Sequence, residues 1–224
     1  MYATEIRHFA DSLKQVYALP GRAQPEDQLK NPVAALFKAI GEHGKTKIET
    51  TTETALQKIG VRPDIAVYAD GLVNGHVELK APGKGANPKA FTTPHDKAQW
   101  KKMQTLPNLI YTDGRNWTLW RRNPNAKESA TIQLEPVKQL VFEGDPVTDG
   151  AAAISEKNIQ DLTNLFETFL AWAPLPPSTV IELAGFLAPL AKLMREEVIA
   201  ALEVGGSALR VLSCLLYTSD AADE

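Results

Sequence analysis

The chain has 224 residues, 44% of them hydrophobic and 23% charged, with a formal net charge of −3, a balance that fits a soluble globular protein and excludes a disordered polyelectrolyte. No run approaches the roughly 18 apolar residues of a membrane span, and the start, "MYATEIRHFADSLKQVY", has no apolar secretory core, so a cytoplasmic protein without a membrane partner is expected. A single cysteine, Cys214, excludes an intramolecular disulfide framework and a multi-cysteine zinc site.

In "TEIRHFADSLKQVY", Ile6, Phe9, Leu13 and Val16 recur at helical spacing before Pro20-Gly21 breaks the pattern. A second helix is expected over "QPEDQLKNPVAALFKAIG", with Pro25, Glu26 and Asp27 in its first turn, Gly41 as its C-terminal cap and Pro32 as a source of a kink. From Thr46 the pattern becomes that of a sheet. "KIETTTE", "RPDIAVYA" and "GHVELKA" read as strands, and "DGLVNG" between the last two carries two turn signals, Asp70-Gly71 and Asn74-Gly75. Residues 82–94 read as a Gly-, Pro- and Lys-rich loop and "HDKAQWKKMQ" as a short helix. "NLIYT", the turn Asp113-Gly114 and "NWTLWRR" form a second hairpin, and "ATIQL" adds an edge strand. Trp100, Trp117 and Trp120 are expected in the core.

Helices around a hairpin-rich sheet argue for an α/β (α+β) domain over residues 1–145. "GDPVTDGAAAIS", residues 144–155, reads as a linker that occupies about 146–155. Beyond it, Ile159, Leu162, Phe166 and Phe169 form one apolar helical stripe, and a further helix is expected from about Thr179 to Glu203. The last residues, 214–224 ("CLLYTSDAADE"), resemble a translated sequencing-library adapter. The natural reading frame is therefore expected to be cut near Ser213, with residues 156–213 a helical connector toward a missing C-terminal domain.

Charge is unevenly distributed. Residues 1–130 carry 19 Lys and Arg against 13 Asp and Glu, whereas residues 131–224 carry 5 against 14. Lys84, Lys89, Lys97, Lys101 and Lys102 crowd into nineteen residues, a density suited to phosphate contacts, although a lysine run alone reads more readily as an ordinary solvated face.

The candidate chemistry lies in "RPDIAVYADGLVNGHVELKAPGKG", residues 62–85. If its two strands pair antiparallel, the two-residue period puts Glu78 and Lys80 on one face with Asp64 across from them, while Leu79 points the other way. Two carboxylates and a lysine on one side of a hairpin can hold a hard divalent cation and place a water beside it, and Glu26 could supply a further acid. The same charges also suit an exposed cross-strand pair, and Glu26 an ordinary helix-dipole acid. His76 and His95 have no partners at metal-ligand spacing and are expected at the surface or facing DNA.

Pro63-Asp64, thirteen intervening residues and then Glu78-Leu79-Lys80 resemble the PD-(D/E)xK nuclease superfamily, in the context of an upstream helix acid and a downstream helix with Gln99. "PHDKAQWKKMQTLPNLIYTDGRNWTLWR" is similar to the nuclease parts that open single-chain restriction-modification enzymes, where an adenine-specific DNA methyltransferase follows. The likeness covers about residues 1–200. It implies a restriction-endonuclease-like mixed sheet flanked by helices and followed by a helical extension, with type II-like Mg²⁺-dependent endodeoxyribonuclease activity on double-stranded DNA, Mn²⁺ as a substitute metal and a homodimer for cutting both strands. It also implies that Asp64, Glu78 and the Leu79 carbonyl hold the metal, that Lys80 orients or polarises the attacking water, that Glu26 or its neighbour Asp27 contacts the metal or its waters, and that Gln99 touches the site or the DNA backbone. Met103 stands where some relatives have tyrosine. S-adenosylmethionine would serve only the missing methyltransferase.

No GxxxxGK[ST] phosphate loop, GxSxG elbow or HExxH motif is present. Two rival readings remain at this point: a non-cleaving DNA-docking module of a methyltransferase, and a scaffold whose helices after residue 155 mediate assembly.

Overall fold

A computed structural model describes residues 1–19, 24–52, 62–122, 134–172 and 195. Helix α1 (Ala3–Tyr17) buries Ile6, Phe9, Ala10 and Leu13 along one face, and α2 (Pro25–Gly44) buries Leu29, Val33, Leu36, Phe37 and Ile40. Six strands follow in sheet order identical to chain order: β1 (Ile48–Thr52), β2 (Ile65–Ala69), β3 (Leu72–Leu79), β4 (Asn108–Thr112), β5 (Asn116–Arg122) and β6 (Leu134–Val141). All neighbours pair antiparallel except β3 and β4, which run parallel and are joined by a crossover through α3 (Pro94–Met103). The mixed six-stranded sheet flanked by helices matches the restriction-endonuclease-like α/β architecture expected from the sequence.

Strand alternation distributes the apolar residues between two faces. Ile65, Val67, Val77, Leu79, Ile110, Trp117 and Leu119 join α1, α2 and the last described helix, α5 (Glu156–Leu170), in the larger core. On the opposite face, Leu109, Tyr111 and Trp120 pack with Trp100 and Met103 of α3 in a smaller one. All three tryptophans are core residues, as expected.

Several local expectations change. Helix α2 runs through Pro32 and past Gly41 to Gly44, closing on Lys45 in the left-handed region (φ 59). Gly41 serves close approach instead of capping: a Cβ there would lie 2.7 Å from the Thr46 carbonyl oxygen and 2.8 Å from Ile48 Cβ. The β2–β3 turn is Asp70-Gly71 alone, both at positive φ as a two-residue hairpin requires. The second turn signal, Asn74-Gly75, lies inside β3 at a bulge, where a Cβ on Gly75 would meet the Phe169 ring of α5 at 2.6 Å. Of the edge strand expected over 130–134, residues 130–133 lie outside the described residues, and the strand runs from Leu134 to Val141.

The segment expected as a linker is folded. It forms the short helix α4 (Pro146–Asp149) and a 3₁₀ turn over Gly150–Ala153, with the Ala151 N–H donating to Asp11 Oδ1 at 2.7 Å. Its small residues serve contact: a Cβ on Gly144 would lie 2.7 Å from Ala153 Cα. Ser155 then opens α5 with a capping box closed by Asn158. Phe166 of α5 packs edge-on against Phe37 at 5.0 Å and Trp117 at 5.7 Å between ring centroids. Residues Met1–Pro174 form one compact unit. The helix expected over 179–203 and the tail 214–224 lie outside the described residues, Arg195 excepted.

Candidate active site

The carboxyl end of β3 lies beside the parallel strand β4 and under α3, so that the β3–α3–β4 crossover forms three walls around it. In open α/β sheets the ends of parallel strands are the usual place for ligands. Glu78 and Lys80 project to the α3 side, whereas the Leu79 side chain enters the larger core and leaves only its backbone to the site. Helix α3 starts from Thr93, whose hydroxyl caps the Asp96 N–H at 3.1 Å, and buries Trp100 and Met103. That packing turns Gln99 toward β3.

Three side chains form a closed hydrogen-bonded set there. Lys80 Nζ donates to Glu78 Oε1 at 2.8 Å and to Gln99 Oε1 at 2.9 Å, and Gln99 Nε2 donates to Glu78 Oε1 at 2.6 Å. Glu78 and Lys80 are 2% and 3% exposed, so they are a buried charge pair and not the exposed one that the same residues also suited. Such a pair is costly to desolvate and is weak evidence for a stabilising role. Glu78 Oε2 is buried with no hydrogen-bond partner.

Asp64, just before β2, is held from two sides. Its Oδ2 accepts the Leu79 N–H at 2.8 Å, and its Oδ1 lies 3.7 Å from Lys30 Nζ. Burial raises its pKa against the opposing effects of the Leu79 N–H, Lys30 and Lys80, and Glu26 adds to the rise. Burial followed by the Asp64 charge pushes Glu78 up to about 7, with Lys80 opposing. The Tyr111 hydroxyl, buried across from Glu78 on β4, is pushed up by burial and then by Glu78 and Asp64. Like charges crowded out of water in this way gain most from a nearby cation.

The acids of α2 separate by role. Glu26 reaches the end of β3, where its Oε1 accepts the Ala81 N–H at 3.2 Å, whereas Asp27 pairs with Lys30 one turn on at 2.7 Å. Among the described residues no three or more His, Cys, Asp or Glu side chains gather into a ready-made metal cage. What the site offers a metal is two mutually repelling carboxylates, the free oxygen of Glu78 and the adjacent Leu79 backbone. Hard oxygen donors and few protein ligands suit Mg²⁺, which keeps several of its waters, so the residues present fit that ion.

The lysines of the basic stretch are placed unequally. Lys97, Lys101 and Lys102 are exposed on α3. Lys84 is tied to the buried Asp96 at 2.8 Å and lies over the Phe91 ring, and Lys89 lies over the Trp120 ring at 5.3 Å. Burial works against ionisation of Asp96, but hydrogen bonds from Lys84 and Thr93 outweigh it and hold its pKa low.

No protein-family model and no curated protein matches the chain. Among solved structures, it is similar to one described as "cryoEM structure DrdV-DNA complex", at 20% identity, a TM-score of 0.49, and coverage of 77% of this chain and 99% of that one.

His95 is exposed, as expected, but His76 is buried. It sits opposite Leu109 in the parallel pair, its Nδ1 has no hydrogen-bond partner, and burial lowers its pKa to about 4, which keeps the ring neutral at neutral pH. Sequence reasoning missed Lys30, although its place four residues after Glu26 puts both on one helix face. It also missed Asp96, whose signal is the Thr93-x-x-Asp96 spacing at a helix start.

Proposed function

We propose that the chain is the Mg²⁺-dependent endonuclease domain of a restriction-modification enzyme, hydrolysing phosphodiester bonds of double-stranded DNA with an activated water. The observation that carries this reading is the hydrogen-bonded Glu78–Lys80–Gln99 set beside Asp64, with Glu78 and Lys80 buried and one Glu78 oxygen left without a partner. Asp64 and Glu78 would hold Mg²⁺, with the Leu79 carbonyl beside them and Glu26 directed to its waters. Bound there, the ion supplies charge to the reacting phosphate and acidifies water. Lys80, held by Glu78 and Gln99, would orient the attacking water and offset negative charge developing on phosphorus. Lys97, Lys101 and Lys102 would meet the DNA backbone, with Lys84 and Lys89 in the adjoining loop. A homodimer for double-strand cleavage and a covalently linked methyltransferase using S-adenosylmethionine belong to the same proposal, as does Mn²⁺ as a substitute metal.

The test is plasmid cleavage in Mg²⁺ by the chain and by Asp64→Asn and Lys80→Ala, with thermal melts to check folding. Cleavage by the parent and a loss of at least about a hundredfold in both folded variants is expected, in line with removal of a group that acts on the developing charge. Cutting retained by the variants refutes the assignment. DNA binding without Mg²⁺-stimulated nicking would instead mark a docking module.

A further inference from the structure

Lys30 sits one helical turn after Glu26, with its side chain only 15% exposed, and its ammonium lies 2.7 Å from Asp27 Oδ1 and 3.7 Å from Asp64 Oδ1. The other Asp64 oxygen is taken by the Leu79 N–H. Lys80, the second cation of the site, is engaged with Glu78 and Gln99. Each carboxylate of the hairpin, the buried Glu78 and the half-buried Asp64, therefore has a lysine beside it. An open cleft of ≈ 140 Å³, lined by Lys30, Arg62, Pro63 and Asp64, adjoins this contact.

From this arrangement we infer that Lys30 is the resting counter-ion of Asp64, a positioning residue that a divalent cation must displace before it can bind. Lys30 and the incoming ion would share one carboxylate, and two cations a few ångströms apart at a partly exposed site repel by a few kcal/mol at most. The contacts of Lys30 with Asp27 and Asp64 are unequal in the way an exchangeable counter-ion needs. The shorter one, to Asp27, tethers the ammonium to its own helix, while the longer one, to Asp64, is the contact that can open toward the cleft. Lys30 thereby holds Asp64 against the Leu79 N–H in the metal-free protein and sets the cation concentration at which the site loads. Because this inference rests on the metal role proposed for Asp64, its test must separate the two.

Mn²⁺ binding to the full 224-residue chain, followed by electron paramagnetic resonance, does so without any cleavage readout. Parent, Lys30→Met, Lys30→Arg and Asp64→Asn would be compared after thermal melts. Lys30→Met keeps the aliphatic stem and removes the charge, and Lys30→Gln replaces it should the methionine variant fail to fold. The expectation is Mn²⁺ affinity about tenfold tighter in Lys30→Met, the equivalent of roughly 1.4 kcal/mol of relieved repulsion, with parent-like affinity in Lys30→Arg and loss of the site in Asp64→Asn. Binding that depends on Asp64 but is unchanged or weakened in Lys30→Met overturns the counter-ion role and leaves the metal role standing. Absence of Mn²⁺ binding in every form overturns both.

Discussion

Replacing Glu78 by glutamine should change how stability depends on pH more than it changes the fold. The carboxyl is 2% exposed, and burial with the Asp64 charge lifts its pKa from the ordinary 4.5 to about 7. Between those values the folded protein holds a proton that the unfolded chain has released. Stability from this group is therefore full below about pH 4.5, falls as pH rises through the interval and levels off above about 7. At about 1.4 kcal/mol per pKa unit the total loss is roughly 3 kcal/mol, with a steepest slope near 1.4 kcal/mol per pH unit. Glutamine cannot ionise, so the variant should lack this decline, while its amide oxygen can still accept from Lys80 and only the counter-charge is lost. Urea denaturation of parent and Glu78→Gln at half-unit steps from pH 5 to 8, in EDTA, measures the difference directly. Adding Mg²⁺ at pH 8 should restore stability to the parent and not to the variant. Parallel stability profiles for the two proteins would refute the claim that Glu78 is held ionised at a cost.

Phe166→Ala should destabilise the protein by about 3–5 kcal/mol, because the ring is fully buried against Phe37 and Trp117; urea melts check this, and a near-neutral result would detach α5 from the core. Replacing Lys97, Lys101 and Lys102 together by glutamine should weaken DNA binding and flatten its salt dependence, the logarithmic slope falling by up to about 0.9 for each phosphate that is no longer neutralised. Fluorescence anisotropy at several salt concentrations reads both, and an unchanged slope would place the DNA elsewhere.

The elements that were legible in the sequence are those whose pattern reports one buried face. Ile6, Phe9 and Leu13, and Val77 with Leu79 around Glu78, reveal their helix and strand because a single periodicity decides burial. The misread positions are those where a residue serves a distant neighbour. Gly41 and Gly75 look like punctuation in one dimension, yet they make room for Ile48 and Phe169. "GDPVTDGAAAIS" has the composition of a linker because small residues suit both a flexible segment and a tight contact, and only the packing on α1 distinguishes them. Asp64, Glu78 and Lys80 were singled out by a spaced motif and Glu26 and Gln99 by the helices on either side of it, and β3, those helices and the crossover bring the five side chains close together. Lys30 belongs to no motif, and its role depends on a contact across 34 positions of chain. His76 was misjudged because its burial is decided by a β3–β4 pairing that a local pattern does not contain.

The position of α5 also bears on how such a module could be inherited. Its backbone carbonyl at Phe169 accepts from Asn108 at the head of β4, and that of Leu170 accepts from Asn74 in β3. The two strands that enclose the site are thus fastened to the far end of a helix that composition alone would assign to the next domain. A recombination junction or a protease cut placed between residues 145 and 155 would separate the sheet from its own clasp, so the smallest piece that could be shuffled between polypeptides, or expressed as an independent fragment, extends through Leu170.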